Sequence, residues 1–135
     1  MSLQSREEVR TYLGGVFETA FADPELASKL KETGLVLQFD YSDPETVITV
    51  DTASGSVVLG TIDGRSPAAT LSMTAGVANR YWQGKVSLPL AMAKGQIKVA
   101  GNVAGLLKIA PLGKKLYPIY VQRLKDDGRD DLIAA

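Results

Sequence analysis

The side chains that most enzymes use for proton transfer and nucleophilic attack are scarce in this 135-residue chain, which has no histidine and no cysteine. No thiol nucleophile, disulfide, Cys₄ zinc site, His-based metal site or Ser-His-Asp triad can be built from it. Carboxylate, lysine, tyrosine and hydroxyl chemistry remain. Asp51-Thr52-Ala53-Ser54-Gly55 has the outline of the Asp-Thr-Gly-Ser element of aspartic proteases. That chemistry needs two carboxylates sharing a proton, so a chain this short would have to dimerise to supply the second. Ala53 also stands where that element carries glycine, and a plain strand-to-strand turn accounts for the same five residues. The run Asp126 to Asp131 lacks the alternating ligands, the central glycine and the closing glutamate of a calcium loop, and reads as a solvated acidic tail. Gly60 to Ser66 has no lysine and no phosphate-loop spacing. Lys108, Lys114, Lys115, Arg123 and Lys125 give the C-terminal helix a basic wet face, read as solvated surface. The sequence therefore assigns no catalytic residue, no metal ligand and no cofactor.

Hydrophobic residues make up 45% of the chain, enough for one core, and a chain of this length buries roughly two-thirds of its unfolded surface. One domain over residues 1–135 is expected, with 126–135 as a frayed tail. Fifteen basic and fifteen acidic residues cancel, so no net field favours nucleic acid or anionic lipid. Met1 to Arg10 has no apolar stretch of the signal-peptide kind, and no eighteen apolar residues run together anywhere. The expectation is a cytoplasmic protein without a transmembrane segment.

The elements follow from periodicity. Ser5 and Glu8 form a capping box ahead of Val9, Tyr12, Leu13, Val16, Phe17, Ala20 and Phe21, which share a helical stripe. Asp23-Pro24 restarts a helix that stops near Gly34. The period then becomes two: Leu35, Leu37, Phe39 and Tyr41 face one side of a strand. Turns at Ser42-Asp43-Pro44, Ala53-Ser54-Gly55 and Asp63-Gly64 separate strands predicted at Thr46–Thr52, Ser56–Ile62 and Ala69–Met73. Thr74 caps a helix bearing Val77, Ala78, Tyr81 and Trp82. A short helix begins near Pro89, a fifth strand spans Gln96–Ala100, and Asn102 caps a helix that Pro111 and Pro118 interrupt.

From Val77 to Leu116, long apolar side chains sit on short, loosely connected helices. Such residues either complete the core over the sheet or form an adaptable wall around a ligand. Residue spacing alone does not separate a solid core from a hollow one.

Thr70-Leu71-Ser72-Met73, Gly84-Lys85 eleven residues beyond Met73, and Gly95-Gln96-Ile97-Lys98-Val99-Ala100-Gly101-Asn102 together resemble the sterol carrier protein-2 domain family. The register runs without gaps, and Leu106-Leu107-Lys108-Ile109 with Pro111-Leu112 is similar to the family's following segment. The tight match covers residues 69–112. Departures from the family pattern are Gln96 in place of a lysine, Ser87-Leu88-Pro89 in place of an Asn-Pro, and Ala75, Val77 and Ala78 at acidic and Phe positions. Ile133-Ala134-Ala135 is not a peroxisomal Ser-Lys-Leu ending.

The resemblance implies an α+β fold: a five-stranded, mainly antiparallel sheet with one crossover, helices covering one face around an apolar tunnel. It further implies a non-enzymatic domain that binds and transfers fatty acyl chains, fatty acyl-CoA or sterol-like molecules. Met73, Val77, Trp82, Leu88, Leu90, Met92, Leu106, Ile109, Leu112 and Leu116 are the candidate lipid-binding residues. A dry void of roughly 400 Å³ would cost on the order of 10 kcal/mol, so such a tunnel must be partly collapsed, wet or filled. Burying a twelve-carbon chain contributes about 10 kcal/mol gross. The partner is thus a lipid or other apolar small molecule, with transient membrane contact and a homodimer compatible with it. The alternative is a protein-interaction or dimerisation module on the same fold. An enzyme using carboxylate or tyrosine chemistry on a hydrophobic substrate is the third reading, for which no paired site is found.

Overall fold

Ser5 opens the first helix: its Oγ accepts the Glu8 amide at 3.1 Å, while the Glu8 carboxylate reaches back to the Gln4 amide at 2.7 Å. In this computed structural model, which describes residues 3–134, the helix is not uniform. It runs as α1 (Arg6–Val9), a π-helical turn (Arg10–Gly14) and α2 (Gly15–Ala22). The sequence stripe predicted one regular helix. The wider turn falls where the Gly14-Gly15 pair weakens helix propensity, and both glycines are buried. Arg123 packs there, its guanidinium donating to the Thr11 carbonyl at 3.2 Å. Asp23 then caps α3 (Pro24–Thr33) by accepting the Glu25 and Leu26 amides. Gly34, left-handed at φ 62°, ends it, as glycine is suited to do.

The sheet contains β1 (Val36–Ser42), β2 (Thr46–Asp51), β3 (Ser56–Leu59), β4 (Ala69–Thr74) and β5 (Lys98–Gly101) in the order β3-β2-β1-β4-β5. Three pairs are antiparallel; β1 and β4 are parallel, with Phe39 opposite Leu71 and Tyr41 opposite Met73. This is the expected five-stranded, mainly antiparallel sheet with one crossover. Leu37, Phe39, Tyr41, Ile48, Val50 and Leu71 share one face and are all buried. Gln38, Asp40, Thr70 and Ser72 alternate onto the other face, where Gln38 donates to Asp40 at 2.8 Å.

The helices α4 (Ala75–Tyr81), α5 (Leu88–Ala93), α6 (Val103–Ile109) and α7 (Tyr117–Asp126) complete the cover over the apolar face. Thr74, Ser87 and Asn102 cap the first three through their side chains. Several boundaries differ from expectation. The third strand stops at Leu59 instead of Ile62. The fifth begins at Lys98, because the Gln96 and Ile97 amides donate to the Ala91 carbonyl and close the end of α5. The prolines do not break the last helix in the predicted way. Pro111 lies at the start of a 3₁₀ segment, Ala110–Leu116, and Pro118 lies in the first turn of α7, where its missing N–H costs nothing.

The tail expected to fray is docked instead. Leu132 is buried, and its carbonyl accepts from both Asn79 Nδ2 and Gln83 Nε2 at 2.9 Å. Tyr120 Oη donates to Asn79 Oδ1 at 2.7 Å, and the Ala134 amide donates to Gln83 Oε1 at 2.7 Å. Arg129 pairs with Glu8 and with Asp131. Buried polar groups need partners, and here the tail's own backbone supplies them.

Candidate functional site

Between the sheet and the helical cover lies a cavity of about 70 Å³. β1 supplies Leu37, Phe39 and Tyr41 to it, β4 supplies Leu71 and Met73, and α2 and α3 supply Phe17, Ala20, Leu26 and Leu30. Ala78, Tyr81, Trp82, Leu88, Ile97, Leu106, Ile109, Ala110, Leu112, Gly113 and Leu116 close it. No Asp, Glu, Lys or Arg lines it.

Of the ten residues proposed from sequence, the cavity brings together Met73, Trp82, Leu88, Leu106, Ile109, Leu112 and Leu116. Val77 is buried in the surrounding core, and Met92 packs half-buried against that core. Leu90 points to solvent, 54% exposed. All three lie outside the cavity lining. The helical phase of α5 is the reason: Leu88 and Ala91 occupy its inward face, so Leu90 lies on the outward one. The wall contributed by α2, α3 and β1 is not among the sequence candidates, because those residues have the pattern of ordinary core. A signal for it was present in Phe39 and Tyr41, aromatic residues on the apolar side of one strand.

Aromatic packing shapes the wall. The Phe17 ring meets Phe39 at 5.1 Å and Trp82 edge-on at 5.5 Å. Trp82 in turn meets Tyr81 and Tyr117 edge-on. Gly113 lets the backbone come close to this ring: a Cβ there would sit 3.1 Å from Trp82. Tyr41 is 4% exposed, yet its hydroxyl has no hydrogen-bond partner among the described residues. Burial pushes its phenol well above the usual tyrosine range, and nearby Tyr120 adds to the shift.

Asp51, the carboxylate with an enzyme-like sequence context, lies outside this cavity. Burial by itself would raise its pKa. Hydrogen bonds from the Ala53 and Ser54 amides, at 3.0 and 3.4 Å, and the Arg65 guanidinium at 3.0 Å outweigh burial and hold the carboxyl below the usual range. These contacts make it the organiser of the β2–β3 turn. Among the described residues there is no group of three or more candidate metal ligands, and no helix is long and apolar enough to cross a membrane.

A second depression, an open groove of about 490 Å³, adjoins the cavity. Tyr81, Leu88 and Ala110 line both, so the two spaces share part of their walls.

These features define an α+β binding domain with a central apolar cavity roofed by short helices. The SCP-2 sterol transfer family matches over residues 16–114. The chain belongs to that family, whose members bind or transfer lipids. No curated protein matches the sequence. Among solved structures, sterol carrier protein 2 from Yarrowia lipolytica (apo form) superposes with a TM-score of 0.67 at 18% identity, covering 87% of this chain and 98% of that one. Palmitated SCP2L2 from Aedes aegypti gives 0.59 at 20% identity, covering 84% and 95%. The sec-alkylsulfatase Pisa1 from Pseudomonas sp. gives 0.56 at 19% identity; the match covers 64% of this chain and only 14% of the sulfatase.

Proposed function

We propose that this protein is a non-enzymatic carrier that holds a fatty acyl chain or a similarly apolar small molecule between its sheet and the segment from Trp82 to Leu116. The observation that carries this reading is a central cavity with no charged residue in its lining. At about 70 Å³, leaving that space empty costs only about 2 kcal/mol. The unloaded protein can tolerate that cost within a normal folding free energy. The same volume is roughly half that of an apolar cavity of about 150 Å³ able to take benzene. Uptake of an acyl chain therefore requires the roof to yield. The roof suits this: α5 has six residues and the adjoining 3₁₀ segment seven, and short helices are held by tertiary packing. Methylene burial at about 0.8 kcal/mol each then drives loading, and reopening of the roof releases the ligand.

The test is extraction of purified protein with organic solvent followed by mass spectrometry for co-purified lipid, together with displacement of a fluorescent fatty acid. The expected result is saturable binding in the micromolar range or tighter. No lipid in the extract and no uptake of the probe would overturn the reading.

A further inference from the structure

We infer that the outer surface of α5 and α6, around Leu90 and Leu107, docks on an anionic membrane surface. This goes beyond the carrier reading and does not depend on it, because it rests on charge and exposure outside the cavity.

The overall charge balance hides a strong asymmetry. From Gly64 to Lys125 the chain has ten Lys and Arg residues and no Asp or Glu, whereas residues 1–63 have eleven acidic and four basic ones. The fold keeps the two blocks apart. The acid-free block supplies β4 and β5, at one side of the sheet, with α4 to α7; the acidic block supplies β1 to β3 with α1 to α3. A chain with no net charge is then drawn to an anionic surface by one side only.

Within the acid-free block, apolar side chains are exposed beside unpaired cations. Leu90 is 54% exposed and Leu107 41%. Lys94 lies one helical turn beyond Leu90, its amide donating to the Leu90 carbonyl at 3.0 Å. Leu107 shares the open groove with Pro89, Pro111, Lys85 and Lys114. Lys85, Lys94 and Lys114 are exposed and take part in no ion pair among the described residues. The neighbouring Lys115 differs, being paired with Asp23 at 2.9 Å. Exposed leucines occurring singly are ordinary. Two of them on short helices bordering one groove, set among unpaired lysines, have the makeup of a surface that lies at a membrane interface. A polynucleotide would engage the lysines and leave both leucines in water; a bilayer interface takes both.

The same helices are the least tethered part of the roof. Among the described residues, no side-chain hydrogen bond or ion pair joins α5 or α6 to another element, and Ser87 and Asn102 only cap their own helices. By contrast, α4 and α7 are joined through Asn79 and Tyr120 at 2.7 Å. Apolar packing holds α5 and α6, so contact with an apolar phase competes directly with what keeps them in place.

The experiment measures co-sedimentation of the full chain with vesicles of phosphatidylcholine alone or with about one-third phosphatidylserine, at low and high salt. The chain has no cysteine, so Leu90→Cys, Leu107→Cys and Leu59→Cys can each carry a single environment-sensitive fluorophore. Leu59 is the control, 44% exposed on β3 in the acidic block. The expected result is binding to the anionic vesicles only, weakened by salt. The probe should shift to the blue in the Leu90→Cys and Leu107→Cys proteins and stay unmoved in Leu59→Cys. Lys94→Gln/Lys114→Gln should weaken binding roughly tenfold or more, while Lys31→Gln on α3 should leave it unchanged. Absence of vesicle binding, undiminished binding by the double lysine variant, or a shift in Leu59→Cys without one in the other two overturns the inference. Retention on single-stranded DNA without vesicle binding also overturns it, assigning the cations to a polynucleotide. Each of these failures leaves the carrier reading standing, since fatty acid displacement tests that separately.

Discussion

Phe17 and Trp82 meet edge-to-face with ring centroids 5.5 Å apart and planes at 86°, tying the first helical layer to the cavity roof. Such pairs contribute about 0.5–1.5 kcal/mol beyond the area they bury. A double-mutant cycle of Phe17→Leu and Trp82→Leu, read by urea denaturation, should return a coupling energy of about 1 kcal/mol. Trp82 is the chain's single tryptophan and is 7% exposed. Its emission should therefore be that of a buried indole, and lipid uptake should shift it as the ring moves off Phe17.

The cavity can be filled from α4. Ala78 is 1% exposed and lines the cavity from α4. Ala78→Leu adds three carbons into the void and keeps a good helix former. Overpacking ordinarily costs about 1–3 kcal/mol, but here part of the added volume occupies empty space. Stability should stay within about 1–2 kcal/mol of native, while fatty acid affinity should fall at least tenfold in a displacement assay. Undiminished binding would mean that the ligand lies elsewhere.

How far the sequence could be read depends on whether a feature is local. The apolar alternation of Leu37, Phe39 and Tyr41 marks a half-buried strand wherever it is placed, and Thr74 and Asn102 cap helices that begin at the next residue. The central strand pairing is not local. Nothing in β1 or β4 alone says that Phe39 lies opposite Leu71 across a parallel ladder. The tail is a similar case. Its acidic run looks solvated until Asn79 and Gln83, more than forty residues earlier, are seen to donate to the Leu132 carbonyl. The candidate site was half legible for the same reason. Roof residues stood out because long apolar side chains on short helices are unusual, while Phe17, Leu30 and Leu71 were indistinguishable from solid core. Hollowness belongs to the assembled packing.

The Asp51 turn should set part of the acid sensitivity. Its carboxyl is held below the ordinary value when folded, so the unfolded chain takes up the proton more readily and stability falls as pH is lowered. The contribution is complete above the unfolded value near pH 4 and disappears as pH falls through the lower folded value. Asp51→Ala also removes the acceptor for the Ala53 and Ser54 amides, which should cost about 1–2 kcal/mol at neutral pH by analogy with a lost helix cap. Urea denaturation from neutral pH downward should show the native and variant curves converging at the acid end. Parallel curves would remove Asp51 from the pH dependence.

Tyr41 leads to the opposite expectation from most core substitutions. Among the described residues no fully buried side-chain N or O atom lacks a hydrogen-bond partner. The Tyr41 hydroxyl, on the cavity wall, therefore keeps some accessible surface and carries only part of the about 1–3 kcal/mol that a fully enclosed, unpaired group would cost. Tyr41 is 4% exposed and its hydroxyl has no partner among the described residues. Tyr41→Phe keeps the ring, including its stacking on Phe39 at 5.9 Å, and deletes only the oxygen. The variant should match the native chain or exceed it by up to about 1 kcal/mol in urea denaturation, with an unchanged m-value. Tyr41→Leu separates the ring from the hydroxyl: it also removes the oxygen but loses the stacked ring, and should destabilise by about 1–3 kcal/mol. If Tyr41→Phe were destabilising by a similar amount, the hydroxyl would have to be making a hydrogen bond in the folded protein, and the cavity wall would be polar at that point.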